Sequence, residues 1–349
     1  MKKIEVGILG ATGVVGQRFV SLLEHHPWFD LTWLAASDRS AAKPYGEACN
    51  WRLREPMPDK TAKMMVHECR PNQAPQLIFA SLDSKVAGEV EQAFARAGHV
   101  VVSNSSNHRM EPDVPLLIPE VNPEHLALIR AQRRDRNWNG MIVTNPNCTT
   151  VGLVMSLAPL DAAFGVEKVL MTSMQAVSGA GYPGVPALDI MGNVIPYISN
   201  EEEKVEQETR KLLGKLTDGQ VAPSECVVSA HCNRVLVEDG HTESISVSLK
   251  GKASAGDLIE VWRKYRSRPQ ELKLPSAPAH PILVREEKDR PQAKFDVNAE
   301  QGMAAVIGRV RPCAVLQFKY TALSHNTIRG AAGAALLNAE LMKAEGYLD

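Results

Sequence analysis

No Cys-x-x-Cys pair and no histidine in zinc-ligand spacing accompanies the six cysteines, Cys49, Cys69, Cys148, Cys226, Cys232 and Cys313. That excludes the common zinc modules, implies no metal centre, and points to reduced thiols. An excess of charge is missing as well. With 39 Lys+Arg against 40 Asp+Glu the net charge is −1 and the basic residues are scattered, so there is no electrostatic footprint for nucleic acid or an anionic membrane. No apolar run approaches the ~20 residues of a membrane span. Met1-Lys-Lys imitates the start of a signal peptide, but Glu5, Arg18 and Glu24 break the apolar stretch it would need. A soluble, cytoplasmic protein is expected. Internal repeats and low-complexity segments are also absent. What remains is 349 residues with 44% hydrophobic content, enough for two domains or one large one with a proper core.

Ile4–Leu9 reads as a strand, followed by Gly10-Ala-Thr-Gly13-Val-Val-Gly16 and a helical stretch to about His25. Further strands at 31–36, 77–80, 100–102 and 141–144 alternate with helical patterns at 84–97 and 123–136. Such alternation predicts a parallel sheet covered on both faces, a Rossmann-type doubly wound α/β domain. Beyond Cys148 the rhythm changes. Runs at 168–175, 226–237, 243–250, 303–310 and 314–322 predict an α+β unit with a mixed, mostly antiparallel sheet. A charged helix spans 201–213. The last helix, 325–343, is rich in small residues around Gly330 and is expected to return to the first domain. The expected division is therefore 1–147 plus 325–349 for the nucleotide domain, and 148–324 for catalysis and dimerisation.

The glycine triplet, lying after a strand and opening a helix, is a dinucleotide fingerprint in its proper context. Glycine allows the tight turn and close approach to a pyrophosphate seated on the helix N-terminus. At the end of the second strand, Asp38 suits the ribose diol of NAD, whereas Ser37, Arg39, Ser40 and Lys43 suit a 2′-phosphate. The cation and hydroxyls favour NADP, with NAD use left open.

Asn145-Pro-Asn-Cys148-Thr-Thr places a cysteine where a loop gives way to an apolar helix expected to end near Pro159. In the first turn, backbone N–H groups and the helix dipole favour a thiolate. Asn145 or Asn147 can cap that turn. The alternative is a small buried hydrophobe. Acyl chemistry at such a cysteine needs a proton-handling partner. Among ten histidines, His241 stands at a strand start after a turn, with His231 and His325 as rivals. Arg234 enters an apolar strand and needs a carboxylate, from protein or substrate. Glu201 and Lys204 share a helix face, and Arg109 is a loop cation. The ordinary reading of the first two is a solvated salt-bridge face, and the third suits a phosphate without being diagnostic.

Taken together, Gly10–Gly16, Asn145–Thr149, Gln175-Ala-Val-Ser-Gly-Ala-Gly-Tyr182, Asn200–Lys204, Cys232-Asn-Arg-Val with Asp239-Gly-His-Thr-Glu-Ser244, and His325-Asn-Thr-Ile-Arg-Gly330 closely resemble aspartate-semialdehyde dehydrogenase, in its archaeal and fungal branch. The likeness runs from the first strand to the last helix. It implies NADPH-dependent reduction of L-aspartyl 4-phosphate to aspartate 4-semialdehyde with release of phosphate, a step of lysine, threonine and methionine synthesis, by a homodimer or homotetramer. It implies Cys148 as nucleophile forming a thioacyl enzyme, His241 as acid/base, and Asn147 and Gln175 as residues placing the reacting carbonyl. Arg234 would grip the α-carboxylate, Glu201 the α-amino group, and Lys204 and Arg109 the phosphate. Gly10, Thr12, Gly13, Val14, Val15, Ser37, Arg39, Ser40, Ser81, Ser178, Gly179 and Asn326 fall at cofactor positions. Asp83 adds a charge near the expected nicotinamide, and His231 stands where a small residue is more usual. The related malonyl-CoA reductases share the glycine loop and cysteine but have no need of amino-acid and phosphate clamps. A non-catalytic NADP-binding descendant would be expected to lose Cys148 or His241, and both are present.

Overall fold

The structure, a computed structural model, describes residues 2–348. Two six-stranded sheets organise it. The first contains β1 (Ile4–Leu9), β2 (Phe29–Ala36), β3 (Val66–Glu68), β4 (Leu77–Ala80), β5 (Val100–Ser103) and β6 (Met141–Thr144). Their order is β3-β2-β1-β4-β5-β6, and every neighbouring pair is parallel. β4, β5 and β6 are buried along their whole length, as a parallel sheet covered on both faces requires. The Val14–Leu23 and Ser84–Arg96 helices follow β1 and β4. The final helix, Gly333–Ala344, buries Ala335, Leu336, Leu337, Ala339, Leu341 and Met342 in the core formed with Val6, Phe19 and Phe79. The expected return of the last helix to the first sheet is therefore what the chain does.

The second sheet contains β7 (Val166–Gln175), β10 (Val227–Arg234), β11 (His241–Leu249), β12 (Ile282–Val284), β13 (Ala305–Pro312) and β14 (Phe318–Ser324). Between β7 and β10 a small hairpin, β8 (Lys215–Thr217) and β9 (Gln220–Ala222), stands apart. The order is β10-β7-β11-β14-β13-β12, antiparallel from β7 through β13 and parallel at both ends. This is the mixed, mostly antiparallel sheet that alternation predicts. β7 and β10 alternate buried with exposed residues, so only one face of this sheet carries helices.

The Cys148–Phe164 helix covers that face. It departs from expectation at Pro159, which lies inside the helix rather than ending it. The run is apolar on all sides, with Val151, Leu153, Val154, Met155, Leu157 and Leu160 fully buried, so burial outweighs the missing hydrogen bond.

A charged pair ties this helix region to the last one. Arg329 donates bidentately to Glu120, 2.8 and 2.6 Å, and both side chains are wholly buried. Such a pair is expensive to break from one side, because the remaining charge stays in a low-dielectric interior. Arg329→Met is expected to cost about 3–5 kcal/mol in urea unfolding, and Glu120→Leu added to it to recover part of that loss. Additive penalties in the double variant would show that the pair is not coupled.

Candidate active site

Asn147 begins the site. Its side-chain Oδ1 accepts from the N–H of Thr149 (2.8 Å) and Thr150 (3.3 Å), capping the helix that starts at Cys148. Asn145 is used elsewhere, donating to Asn104 and to the carbonyl of Ala331. The cap itself is held by two carboxylates of the Glu201–Leu212 helix. Asn147 Nδ2 donates to Glu201 (2.9 Å), and the Asn147 backbone N–H to Glu208 (2.6 Å).

Cys148 thus sits at the junction of β6, the Glu201–Leu212 helix and the second sheet. Its Sγ lies 3.2 Å from His241 Nε2. His241 is the first residue of β11, paired with Ser324, and is fully buried. Its Nδ1 accepts the backbone N–H of Ala176 (3.1 Å), and the Ala176 carbonyl accepts Arg234 Nη1 (2.7 Å). Gly179 lies over this group. A Cβ there would fall 2.9 Å from Arg234 Nη1 and 3.2 Å from His241 Cε1, so the loop approaches only because it carries no side chain. Gly330 does the same from the other side, where a Cβ would meet that of Cys148 at 2.7 Å. The rivals of His241 lie elsewhere: His231 is exposed on β10, and His325 is buried with its Nδ1 accepting from Thr327.

Burial dominates the setting of the sulfur: desolvation, with Glu201 adding, pushes the half-buried Cys148 thiol up to about 12, against the lowering influence of Arg109, Arg234 and the Thr149 backbone N–H. The N–H groups of Thr149 and Thr150 donate to the cap, and the Cys148 N–H has no protein acceptor among the described residues. Asp83 caps the Ser84–Arg96 helix, accepting from Lys85 N–H at 2.9 Å.

Arg234 is buried with no carboxylate within ion-pair distance among the described residues, and desolvation lowers its pKa, which makes it a strong anion host. Arg109 is already engaged, by Glu208 (2.9 Å) and the carbonyl of Asn104 (2.7 Å). Lys204, one turn from Glu201, makes no ion pair among the described residues. Gln175 is buried and donates to Ser173 (3.2 Å), at the register position facing Arg234. Glu208, which joins Arg109 to the cap, and the Ala176 peptide were not singled out from sequence. A carboxylate seven residues along the helix from Glu201 was the available sign of the first, and no sequence sign marks the second.

The glycine loop fits a dinucleotide. Gly10 has φ +79° and, like Gly16, packs where a Cβ would strike backbone, at 2.5 Å from the Ser81 carbonyl and 2.3 Å from the Gly10 carbonyl respectively. Gly13 faces open space apart from the Gly10 carbonyl at 3.5 Å. No side chain caps the Val14–Leu23 helix, so the N–H groups of Val14 and Val15 are left for an anion beside Thr12. Ser37, Arg39 and Ser40 follow β2 at the same edge, with Arg39 exposed and unpaired among the described residues. Ser81 donates back to Leu9 and Gly10 carbonyls. Ser178 and Asn326 are bonded to each other at 2.8 Å. Arg52 over the Tyr182 ring, 4.7 Å to its centroid, connects the nucleotide side to the 176–186 loop.

A doubly wound sheet with an anion-binding glycine loop, joined to a cysteine–histidine pair beside a buried arginine, defines a nucleotide-dependent oxidoreductase. The comparisons agree. The semialdehyde dehydrogenase NAD binding domain model matches residues 5–129, and the semialdehyde dehydrogenase dimerisation domain model matches residues 157–329. Aspartate-semialdehyde dehydrogenase of Methanothermobacter thermautotrophicus is 50% identical, covering 97% of this chain and 99% of its own. That of Cryptococcus neoformans is 46% identical, covering 99% and 98%. The crystal structure of the Candida albicans enzyme with NADP superposes with a TM-score of 0.91 at 42% identity, 99% of each chain covered. The chain belongs to the aspartate-semialdehyde dehydrogenase family, on its archaeal and fungal side.

Neither oxygen of the buried Glu243 is hydrogen-bonded among the described residues, and desolvation raises its pKa well above the ordinary range. The folded state holds a proton that the unfolded carboxyl sheds, so stability is full below the unfolded pKa and falls as pH rises. Glu243→Gln is therefore expected to gain in Tm over the parent from about pH 5 to about pH 7, up to about 1.4 kcal/mol per pH unit. A constant difference across that range would mean that Glu243 is not protonated in the fold.

Proposed function

We propose that this protein reduces L-aspartyl 4-phosphate to aspartate 4-semialdehyde with NADPH, through a thioacyl group on Cys148. The observation that carries the reading is the 3.2 Å contact of Cys148 Sγ with His241 beside a buried Arg234 that has no carboxylate partner among the described residues. An acyl phosphate is activated, so sulfur displaces phosphate without strong acid assistance, and the resulting thioester accepts hydride more readily than a carboxylate does. NADPH supplies that hydride when bound, with Gly10, Thr12, Gly13, Val14 and Val15 at the pyrophosphate and Ser37, Arg39 and Ser40 at the 2′-phosphate. Ser81, Ser178, Gly179 and Asn326 line the nicotinamide side.

Arg234 offers a planar, bidentate host for the α-carboxylate, and Glu201 an anion for the α-amino group. Lys204 and Arg109 take the departing phosphate, Arg109 by exchanging its bond to Glu208. Asn147 and Gln175 position the reacting carbonyl, the free Cys148 N–H supports its developing negative charge, and His241 is the acid–base partner of the sulfur. An acyl-CoA substrate would leave Glu201, Arg234 and Lys204 without a task. Residues 1–147 with 325–349 form the nucleotide domain in this reading, and 148–324 the catalytic one. The six free cysteines fit a cytoplasmic protein.

The same reading assigns the bare face of the second sheet to a homodimer. Leu170, Thr172, Val227, Ser229, His231 and Ser244 are exposed on it, a broad, flat surface with apolar residues that two copies bury symmetrically.

Two outcomes are expected. Cys148→Ser lowers turnover of aspartate semialdehyde, phosphate and NADP by about 10³-fold or more while NADP binding, followed by fluorescence, is unchanged. Retained turnover would refute the thioacyl route. Leu170→Glu shifts sedimentation from dimer to monomer at fixed concentration, and an unaltered dimer would move the interface elsewhere.

A further inference from the structure

Arg109 stands on a loop that leaves β5 at Ser103. Glu91, on the Ser84–Arg96 helix, is wholly buried against this loop. Its Oε1 accepts from Ser103 Oγ (2.7 Å), which in turn accepts the N–H of Ser105 (3.0 Å). Its Oε2 faces His108 Nε2 at 3.7 Å, and neither of these buried atoms has a hydrogen-bond partner among the described residues. One carboxyl therefore spans the chain from Ser103 to the residue next to Arg109. Between those two points lies the Asn104 carbonyl, which accepts Arg109 Nη2 at 2.7 Å.

The other nitrogen of His108 sets the protonation. Nδ1 lies 2.9 Å from Glu111 Oε1, and Arg136 donates to Glu111 Oε2 at 2.5 Å. Burial would raise the Glu111 pKa, but its bonds to His108 and Arg136 bring it below the ordinary value. Glu111 is thus an ionised acceptor, and Nδ1 carries a proton. A neutral His108 beside an ionised Glu91 would then set two lone pairs against each other in a buried space. One proton between them removes the conflict, either as a carboxylic acid donating to Nε2 or as an imidazolium donating to the carboxylate. Burial lifts the Glu91 carboxyl to about 7 against the lowering by Ser103, His108 and Arg109. Burial would lower His108, but its bond to Glu111 and the charges of Glu111 and Glu91 raise it, so acid and base meet in one range. The surrounding charges agree. Glu91, Glu111, Asp113 and Glu208 stand among Arg109, Arg136 and Lys211, and one further proton makes that cluster neutral. Nearby His125 adds no charge, since burial brings its pKa down to about 4.

We infer that Glu91 and His108 hold one proton between them and act as positioning residues for Arg109, so that phosphate meets a guanidinium already set in place. This rests on the phosphate role given to Arg109 above and adds what fixes that cation. Arg109 releases Glu208 to take phosphate, while its bond to the Asn104 carbonyl keeps it aimed. The Glu91 bridge fixes that carbonyl by holding the chain on either side of it. Without the shared proton, a carboxylate would face a bare ring nitrogen, push Ser103 and His108 apart, and add a negative charge within the field of Arg109.

The test measures kcat and the KM values for phosphate and NADP in aspartate semialdehyde oxidation by the full-length protein, at about pH 7. Glu91→Gln, Glu91→Leu and Arg109→Leu are compared with the parent. Glutamine donates to His108 Nε2 and accepts from Ser103, as the protonated carboxyl does, and leucine does neither. Glu91→Leu is expected to raise the phosphate KM about tenfold with kcat and the NADP KM within about twofold, and Glu91→Gln to stay within about twofold of the parent throughout. Equal losses in the two variants, or a loss spread over kcat and the NADP KM, would overturn the inference. An unchanged phosphate KM in Arg109→Leu would remove the phosphate role itself and this inference with it. A raised one beside an unaffected Glu91→Leu defeats this inference alone. A second measurement, on the parent protein, depends on no variant's rate. The 15N shifts of His108 and the 13C shift of the Glu91 carboxyl, assigned by their loss in His108→Asn and Glu91→Gln, are expected to show a protonated Nδ1 and a single proton on Nε2 and the carboxyl together. An unprotonated Nδ1, or a pair holding no proton or two, refutes it.

Discussion

The contact between Cys148 Sγ and His241 Nε2 is the constraint on which the rest of the molecule converges. The two residues stand 93 positions apart and belong to different layers: one opens a helix after the parallel sheet, the other opens β11 in the mixed sheet. Holding them at 3.2 Å fixes how the two sheets meet. The register of β11 between β7 and β14 aims His241 at the helix start, and a slip of one residue would turn it to the bare face. From behind, the turn at Ile328–Ala332 brings Gly330 against Cys148, held by Arg329 on Glu120. A sulfur adduct needs this degree of placement, since an error near 1 Å is enough to cost about two orders of magnitude in rate.

The electrostatics of the site run against the simplest account of a reactive cysteine. A helix N-terminus and two arginines would ordinarily produce a thiolate. Here burial outweighs them: the side-chain cap engages two of the helix N–H groups, Glu201 stands close by, and desolvation raises the thiol's pKa. In the proposed reaction this suits a sulfur that meets a multiply charged acyl phosphate. An uncharged thiol adds no repulsion to substrate entry, and it resists adventitious alkylation and oxidation while the site is empty. In the proposed reaction the substrate completes the site, its carboxylate taking Arg234.

Much of this was legible from residue order because periodicity and local chemistry coincide. The glycine loop after β1, the buried runs of β4 to β6 and the alternation in β7 and β10 each follow from one local rule. The cap at Asn147 was open between two asparagines, and only the burial of Asn145 against Asn104 and Ala331 decides it. Pro159 misled because a local breaker was outweighed by burial on every side of its helix, which is a tertiary quantity. The Ala176 peptide has no side chain to betray it, so its part in the site exists only in three dimensions. Glu208 was visible as a residue but not as a link, since its partners lie 61 and 99 positions away.

In the proposed site Glu208 joins the phosphate-binding cation to the placement of the nucleophile. One of its oxygens takes Arg109 Nη1 and the other the backbone N–H of Asn147, the residue that caps the cysteine helix. The loop carrying Arg109 is fastened from below by Lys211, whose ammonium donates to the carbonyls of Arg109, Glu111 and Val114. That cation is buried and its pKa is lowered to about 8 by desolvation, so the fastening is strongest below that value. When an anion draws Arg109 away from Glu208, the carboxylate retains the Asn147 N–H and nothing in the cap has to move. The cation can thus leave one partner for another while the sulfur stays where the imidazole meets it, which separates ligand exchange from the geometry of attack.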